Sequence, residues 1–574
     1  MTVSKIFSIN NIGMKTRNPH RFTGKFYCTY LLLPFTFLFV SGALFAQRDT
    51  TKKQSINIVS SFKPVLRNAV KINFSGSQLN ADTSKTVKEY LIPSQNLFYA
   101  YQAISLKPLA LQQDTNLYLG GRNYIKAGFG NYTTPYINVG LGIGDGKKYL
   151  ANLYGTYISS NGNIRNQDYS QFNVKATGSY FLKKNELYAA ASASREQYYL
   201  YGYDHLALPE TKRKDISQQF QQVNVSAGVR NTASIRYGIS YNPNFAANFF
   251  ISKARLRETS FIIDVPVEKK IGEEFTIKID AKADITRYAT DNLLPVDVNV
   301  TNNVSQIAAA LLYNSPRLVI NAGIIPVWDN SKFDYLPNVS AELQLKQQVF
   351  MIQAGWVGRI IKNTYRNLAQ VNPYVSTITS QTNTKEVEFY GGIKATVGKH
   401  FNFNAKAGIV HFENFALFVN DNSAGIASEN KFNLVYEPKM ESLRIHGDIS
   451  YIHQDKFTAT AGLTLNGYTG LNVNEKAWHT VPMEFKASAR WWILDQLLLK
   501  GDFYLFGAGK YRETDGKSRT FSSGSDLSAG AELKITKQFS AFLDVNNIFN
   551  NKYERWHKYE VYGLNLLGGV IFHF

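Results

Sequence analysis

Among the 574 residues there is a single cysteine, Cys28. It lies in the N-terminal 46 residues, so removal of that segment leaves no thiol and excludes disulfides and cysteine-ligated metals downstream. Proline is scarce at 16, and Asp, Glu, Lys and Arg together make up only 18%. After Ala46 no run of ~20 apolar residues occurs, so no helix downstream is long and apolar enough to span a bilayer. A membrane-embedded mature chain must then be a closed β-barrel, the other architecture that pairs every backbone group. Catalytic signatures are missing as well. There is no G-x-S-x-G and no H-E-x-x-H, and Gly516-Lys517-Ser518 lacks the earlier glycine of a phosphate-binding loop. The 9 histidines are scattered singly. His446 and His453 fall on opposite faces of one strand and are not a ligand pair. No catalytic residue, metal site or cofactor is expected, and the chain is read as a non-enzyme.

What is abundant is aromatic: 35 Tyr and 38 Phe, spread along the whole length. The formal charge is +20. Because the aromatics are not gathered into a basic patch, nucleic acid is not an expected partner. The first 46 residues hold Lys5, Lys15, Arg17, Arg21 and Lys25 and no acid. The apolar stretch Phe26 to Ala46 follows, then Gln47. Basic flank, apolar stretch and small terminal residue are the order of a secretory signal peptide, expected over 1–46 and cleaved after Ala46. An uncleaved inner-membrane anchor is the alternative, since the stretch is long enough to span. No cysteine follows it, which argues against a lipoprotein.

Residues 47–121 differ in character. They are polar at first, punctuated by Pro64, Pro93 and Pro108, and carry no repeat or catalytic motif. A short periplasmic or lumenal segment is expected here.

From Arg122 to the end the chain is a succession of alternating segments. In Phe275 to Thr286, Phe275, Ile277, Ile279, Ala281, Ala283 and Ile285 fall on one face. Thr276, Lys278, Asp280, Lys282, Asp284 and Thr286 fall on the other. Residues 171–182, 222–229 and 401–409 repeat the pattern. A period of two marks strands. At about 9–14 residues these strands exceed the usual length in soluble sheets and match the crossing length of tilted membrane strands. Short polar turns (145–148, 183–185, 231–232, 314–316, 347–348, 398–400, 455–456, 494–496, 536–538) alternate with long loops (161–169, 202–216, 289–302, 362–384, 416–430, 510–520, 550–560). That alternation belongs to outer-membrane barrels. The count is about 22 strands over 122–574, provided that Lys431 to Ile452 is one strand with Pro438 marking a bulge. The fold class is therefore all-β, a transmembrane antiparallel barrel. Tyr188, Tyr198, Tyr199 and Tyr201 are expected in an interfacial girdle.

The last stretch, Val561 to Phe574, alternates Tyr562, Leu564, Leu566, Gly568, Val570, Phe572 and Phe574 against a more mixed set. It is expected to meet lipid with the first set and to pair with the first strand near Tyr124–Asn131.

The residues Phe542-Leu-Asp-Val-Asn546-Asn547-Ile548-Phe549-Asn550-Asn551-Lys552-Tyr553, then Tyr562-Gly563 and Gly568-Gly569 before Phe574, resemble the closing hairpin of TonB-dependent receptors. The resemblance implies a 22-stranded outer-membrane barrel of a Gram-negative bacterium. It also implies insertion by the outer-membrane assembly machinery, with Phe572 and Phe574 in the aromatic strand that serves as the assembly signal. That family places a plug domain of well over a hundred residues before the barrel. Segment 47–121 is shorter, so the plug is expected to be reduced or replaced, and energy coupling through TonB stays open.

The functional expectation is a receptor-like barrel that binds or passes a solute across the outer membrane, with outer-membrane lipid around it. Its alternatives are a passive porin-like channel, or a structural or assembly protein docking a periplasmic partner through 47–121. Lumen-lining candidates are Lys278, Asp280, Lys282 and Asp284, read as a salt-bridged wall or a charge track. Candidate solute contacts on outer loops are Arg555, Trp556, His557 and Tyr559, together with Tyr201 and Tyr203.

Overall fold

The structure is a computed structural model. It describes residues 123–206, 212–232, 237–290, 298–346, 349–398, 400–421, 431–453, 456–513 and 515–574. The expected signal peptide (1–46) and the segment 47–121 lie outside the described residues.

One antiparallel sheet closes on itself. Two of its segments, Ile239–Tyr241 and Asn244–Ser252, keep a continuous register against Leu256–Ile271 and form one barrel strand. The barrel therefore has 22 strands, as the sequence predicts. The interruption falls at Asn242-Pro243, where proline offers no N–H. The ladder survives because Val229 N–H donates to Pro243 O (3.0 Å) and Asn242 N–H donates to Pro266 O (3.1 Å).

Closure joins the first strand, Tyr124–Gly130, to the last, Asn565–His573. Tyr124 stands opposite His573 and Gly130 opposite Leu567, as expected. Small residues make this seam close. A side chain at Gly569 would put its Cβ 2.1 Å from Ala127 O and 2.5 Å from Gly128 Cα.

Burial is inverted relative to a water-soluble sheet. Phe275, Ile277, Ile279 and Ile285 are all exposed, while Lys278, Asp280, Lys282 and Asp284 on the other face are partly shielded. A half-exposed Ile or Phe in water forgoes on the order of 1 kcal/mol each, so a belt of them requires an apolar solvent. That solvent is lipid, crossed by strands; among the described residues no helix is long and apolar enough to cross. Outward aromatics mark the belt's edges. Tyr149, Tyr180, Phe275, Phe401, Trp491, Phe539 and Phe574 lie at the short-turn end. Trp328 and Phe333 lie at the long-loop end with ring centroids 5.0 Å apart.

Three details differ from expectation. Phe432–His453 is one long strand, but Pro438 marks no bulge. The ladder skips the Asn414–Pro438 pair and resumes in the same register, and Asn414 absorbs the irregularity at φ 56°. In the expected tyrosine girdle, Tyr188 and Tyr198 share the inward parity of Glu186, opposite to the exposed Leu187, and Tyr201 is buried; only Tyr199 keeps outward parity. Finally, Leu564, Leu566, Val570 and Phe574 face outward, but Tyr562 lies before the strand begins and is buried.

Candidate functional site

The long-loop mouth is where the chain departs from a plain tube. Tyr201 lies between Asn185–Tyr199 and Ser217–Asn231, Tyr374 between Phe350–Ile361 and Thr384–Val397, and Tyr559 between Phe539–Asn546 and Asn565–His573. On the closed ring these three connections leave the wall eight, eight and six strands apart. A ring of this size is roughly 40 Å across at ~4.8 Å between tilted strands, so their wall positions are more than about 30 Å apart. Yet the three rings touch. Tyr374 and Tyr559 stack with centroids 3.5 Å apart at 16°, and Tyr201 meets Tyr559 edge-on at 4.9 Å. The loops thus fold inward and meet over the lumen.

Two of the loops have a local reason to turn inward. In the second, Thr364 caps the helix Tyr365–Val371 by accepting from Asn367 N–H at 3.2 Å. The helix packs Tyr365 on Tyr288 (5.6 Å) and Phe250 (6.0 Å) of the wall. Glu258 Oε2 accepts from Arg366 N–H in its first turn. Val375 then bridges Phe432 across to another strand. In the last loop, Asn547 is the fulcrum. Its side-chain amide donates to Asn551 O (2.8 Å) and Tyr562 O (2.7 Å), and its Oδ1 accepts from Asn551 N–H (3.1 Å). Asn547 and Asn550 both sit at positive φ, 48° and 53°, which asparagine tolerates better than most residues. This is why the hairpin carries asparagine at 547 and 550.

The expected solute contacts lie inside this knot. Arg555, Trp556, Tyr559, Tyr201 and Tyr203 are all buried, so no solute reaches them in this arrangement. Arg555 Nη1 donates to His479 O (3.0 Å), and its guanidinium lies 4.5 Å from the Trp556 ring centre. Trp556 touches Phe418, Phe432 and His479. Tyr201 donates to Glu560 O at 2.6 Å, and Tyr203 accepts from Asn166 at 2.8 Å. His557 is partly shielded, stacked on Tyr511 at 3.9 Å with Nδ1 3.1 Å from Glu554 Oε2. Burial lowers Arg555 to about 9 and His479 to about 4, so His479 is neutral at neutral pH. Burial pushes the phenols of Tyr201, Tyr374 and Tyr559 up, which keeps them protonated.

The wall below is lined by ion pairs. Lys278 Nζ is 2.9 Å from Glu268 Oε1, Asp284 accepts from Lys362, and Lys282 stands opposite Asp264 in the ladder. Asp280 shares their face, opposite Ala308 on the next strand. A second cluster went unread in the sequence. Glu386 accepts from Arg359 (2.7 Å) and Arg444 (2.8 Å), and Lys394 lies 2.6 Å from Glu342. Each of these residues obeys the period of two, but their meeting depends on register between strands. Among the described residues no group of three or more His, Cys, Asp or Glu could hold a metal.

No family model matches the chain, and no curated protein is similar to it in sequence. Solved structures do share its architecture. The FrpB iron transporter from Neisseria meningitidis superposes with a TM-score of 0.62 at 10% identity, over 80% of this chain and 82% of that one. The siderophore receptor PirA from Acinetobacter baumannii gives 0.60 at 11%, over 79% and 80%. The chain shares the barrel fold of these two proteins. The ferripyoverdine receptor of the Pseudomonas aeruginosa outer membrane, at 0.59 and 12%, spans 79% of this chain and 72% of its own. The receptor fold thus bears out, as architecture, the resemblance carried by the closing hairpin.

Proposed function

We propose that this receptor-type barrel sits in the outer membrane of a Gram-negative bacterium, with its long loops outside, and is a gated solute transporter rather than an open pore. The observation that carries this reading is the meeting of Tyr201, Tyr374 and Tyr559 over the lumen. Three loops that meet over the lumen narrow the mouth, which a gated path requires and an open pore does not. The solute enters when this knot parts and presents Arg555, Trp556 and Tyr559, which are aromatic and cationic donors suited to an anionic, ring-bearing ligand. Lumen charges such as Lys278, Asp280, Lys282 and Asp284 line its path.

The barrels of this fold named above include an iron transporter and receptors for siderophores. A ferric siderophore is therefore the first solute class to test. Segment 47–121 is proposed to act from the lumen or the periplasmic side, where it docks a partner that supplies energy or assembly. The experiment is accumulation of radiolabelled ferric catecholate and hydroxamate chelates by cells with and without the protein. The reading expects accumulation of at least one class that depends on the protein and is lost on truncation of 47–121. Equal accumulation in both strains for every chelate overturns it.

A further inference from the structure

The inner wall is not uniform around the ring. Many of its charges pair with one another. Lys126 lies 3.7 Å from Asp544, Lys278 2.9 Å from Glu268, Lys394 2.6 Å from Glu342 and Lys500 3.3 Å from Glu532. From Thr134–Gly144 round to Asn244–Ser252 the middle of the wall is neutral but for one residue. Inward positions on these six strands are opposite in parity to the exposed Ile137, Leu153, Phe172, Leu187, Val223 and Phe249. One inward row reads Gly140, Tyr154, Lys175, Ser192, Asn224 and Asn248. The inward rows two residues to either side, one from Asn138 to Phe250 and one from Gly142 to Ala246, hold no ionisable side chain.

Lys175 is exposed and makes no hydrogen bond or ion pair with any described residue. Glu196, the carboxylate closest to it in the register, lies on the adjacent strand four residues toward the mouth from Ser192, about 13 Å at ~3.4 Å per residue. Its Oε2 accepts from Tyr198 Oη at 2.7 Å. Toward the short turns, Glu186 pairs with Arg230 at 2.7 Å. The Tyr154 hydroxyl, directly opposite Lys175, and the Asn173 carboxamide, two residues before it, are also without a partner among the described residues. Other polar groups of the sector satisfy one another: Asn224 Nδ2 donates to Ser192 Oγ at 3.1 Å, and Asn138 Nδ2 to Thr156 Oγ1 at 2.7 Å. The sector lies under the mouth. Its strands Asn185–Tyr199 and Ser217–Asn231 carry the connection that holds Tyr201. Gln370, on the helix of the Tyr374 loop, donates to Gln222 Oε1 in the upper row at 3.2 Å.

We propose that Lys175 is a specificity-determining residue of the lumen, where it holds an anionic oxygen of the passing solute, a carboxylate or a catecholate, with Tyr154 and Asn173 beside it. An ammonium without a counter-ion on a neutral wall keeps its whole field, whereas a paired cation must give up its carboxylate before it can hold a solute. The phenol and the carboxamide add neutral donors that orient the oxygen. No carboxylate in the three rows repels it. This inference rests on the reading of the barrel as a solute transporter and adds the place where the solute's charge is recognised.

The test is NMR of the full chain in neutral detergent, its lysines dimethylated with isotope-labelled carbon so that each gives its own signal. The signal missing from K175Q is that of Lys175, and the one missing from K500Q is that of Lys500. Unboiled gel mobility confirms folding, and K175R supplies the assignment if K175Q misfolds. The probe is ferric tris-catecholate, a trianion whose iron broadens nearby signals, compared with the neutral ferric tris-acetohydroxamate. Both the wild type and Tyr374→Ala/Tyr559→Ala are titrated, so that a closed mouth does not limit access. The Lys175 signal is expected to reach half height at a concentration of the trianion at least fivefold lower than of the neutral chelate, and before the signal of the paired Lys500. In Tyr154→Phe/Asn173→Ala that preference falls about threefold. Equal response of Lys175 to the two chelates, broadening of Lys500 at or before Lys175, or no broadening in either chain overturns the proposal. Accumulation of a chelate by cells with no effect at Lys175 strikes this site alone. Broadening at Lys175 without accumulation of any chelate strikes the transport reading and leaves the binding site standing.

Discussion

Tyr374 and Tyr559 stack face to face, with ring centroids 3.5 Å apart, although the strands that carry them stand eight apart on the ring. Each ring reaches the other only because its whole loop crosses the lumen. Replacing both by alanine removes the contact that joins the two loops; for buried aromatics such a change costs on the order of 3–5 kcal/mol. The loss falls on loop closure and leaves the ladder intact. In Tyr374→Ala/Tyr559→Ala, a cysteine placed at the buried Ile378 is expected to react with a membrane-impermeant maleimide at least tenfold faster than in the otherwise unchanged chain. Gel mobility before boiling stays that of a folded barrel.

Acid is expected to loosen the same closure. His479 is buried among Phe432, Phe521 and Trp556, and burial holds its imidazole at about 4 against an ordinary value of 6.5. A histidine whose pKa is lower in the closed state binds fewer protons closed than open. Closure is therefore at full strength above pH 6.5 and weakens as pH falls toward 4, by up to about 3 kcal/mol. Acrylamide quenching of tryptophan fluorescence, to which the buried Trp478 and Trp556 contribute, should rise over that window in the wild type. In His479→Phe, which keeps the ring packing without the titration, it should stay flat.

The last hairpin depends on Asn547. Alanine there removes two donated bonds and one accepted bond and leaves a positive φ that alanine resists. At about 1 kcal/mol per bond plus the backbone cost, Asn547→Ala should destabilise by roughly 3–4 kcal/mol. Asn547→Gly should lose less, because it removes the backbone cost. Urea midpoints of tryptophan fluorescence, compared for the three chains, give the order wild type, Gly, Ala.

The seam has its own prediction. Gly569→Val forces a side chain onto the backbone of Ala127 and Gly128. Strand closure is expected to fail, so that the unboiled and boiled protein run at one mobility. Gly391→Val, at a wall position with nothing near its added Cβ, is expected to keep the two.

Much of this architecture was legible because membrane strands write their solvent into a period of two. Lys278 and Ile279 have opposite destinations, and alternation alone separates them. The seam was legible too, since a closed ring leaves the last strand no partner but the first. The mouth was not. Trp556 and Tyr559 read as exposed loop aromatics because loops carry no periodicity, and where a loop turns is decided by partners hundreds of residues away. The helix at Tyr365–Val371 hid inside a polar stretch for the same reason. Pro438 read as a bulge, but its irregularity passed to Asn414 on the neighbouring strand, which no single-strand pattern reveals. The pairing of Arg444 with Glu386 needed register, which alternation does not supply.

The central claim is that the mouth is closed by the loops until a solute opens it. Conductance of the purified full chain in a planar lipid bilayer tests it most directly. The wild type should insert without a steady current, and Tyr374→Ala/Tyr559→Ala should show openings. A large, stable current through the wild-type protein, unchanged in the double variant, would contradict the claim and make the barrel a passive pore.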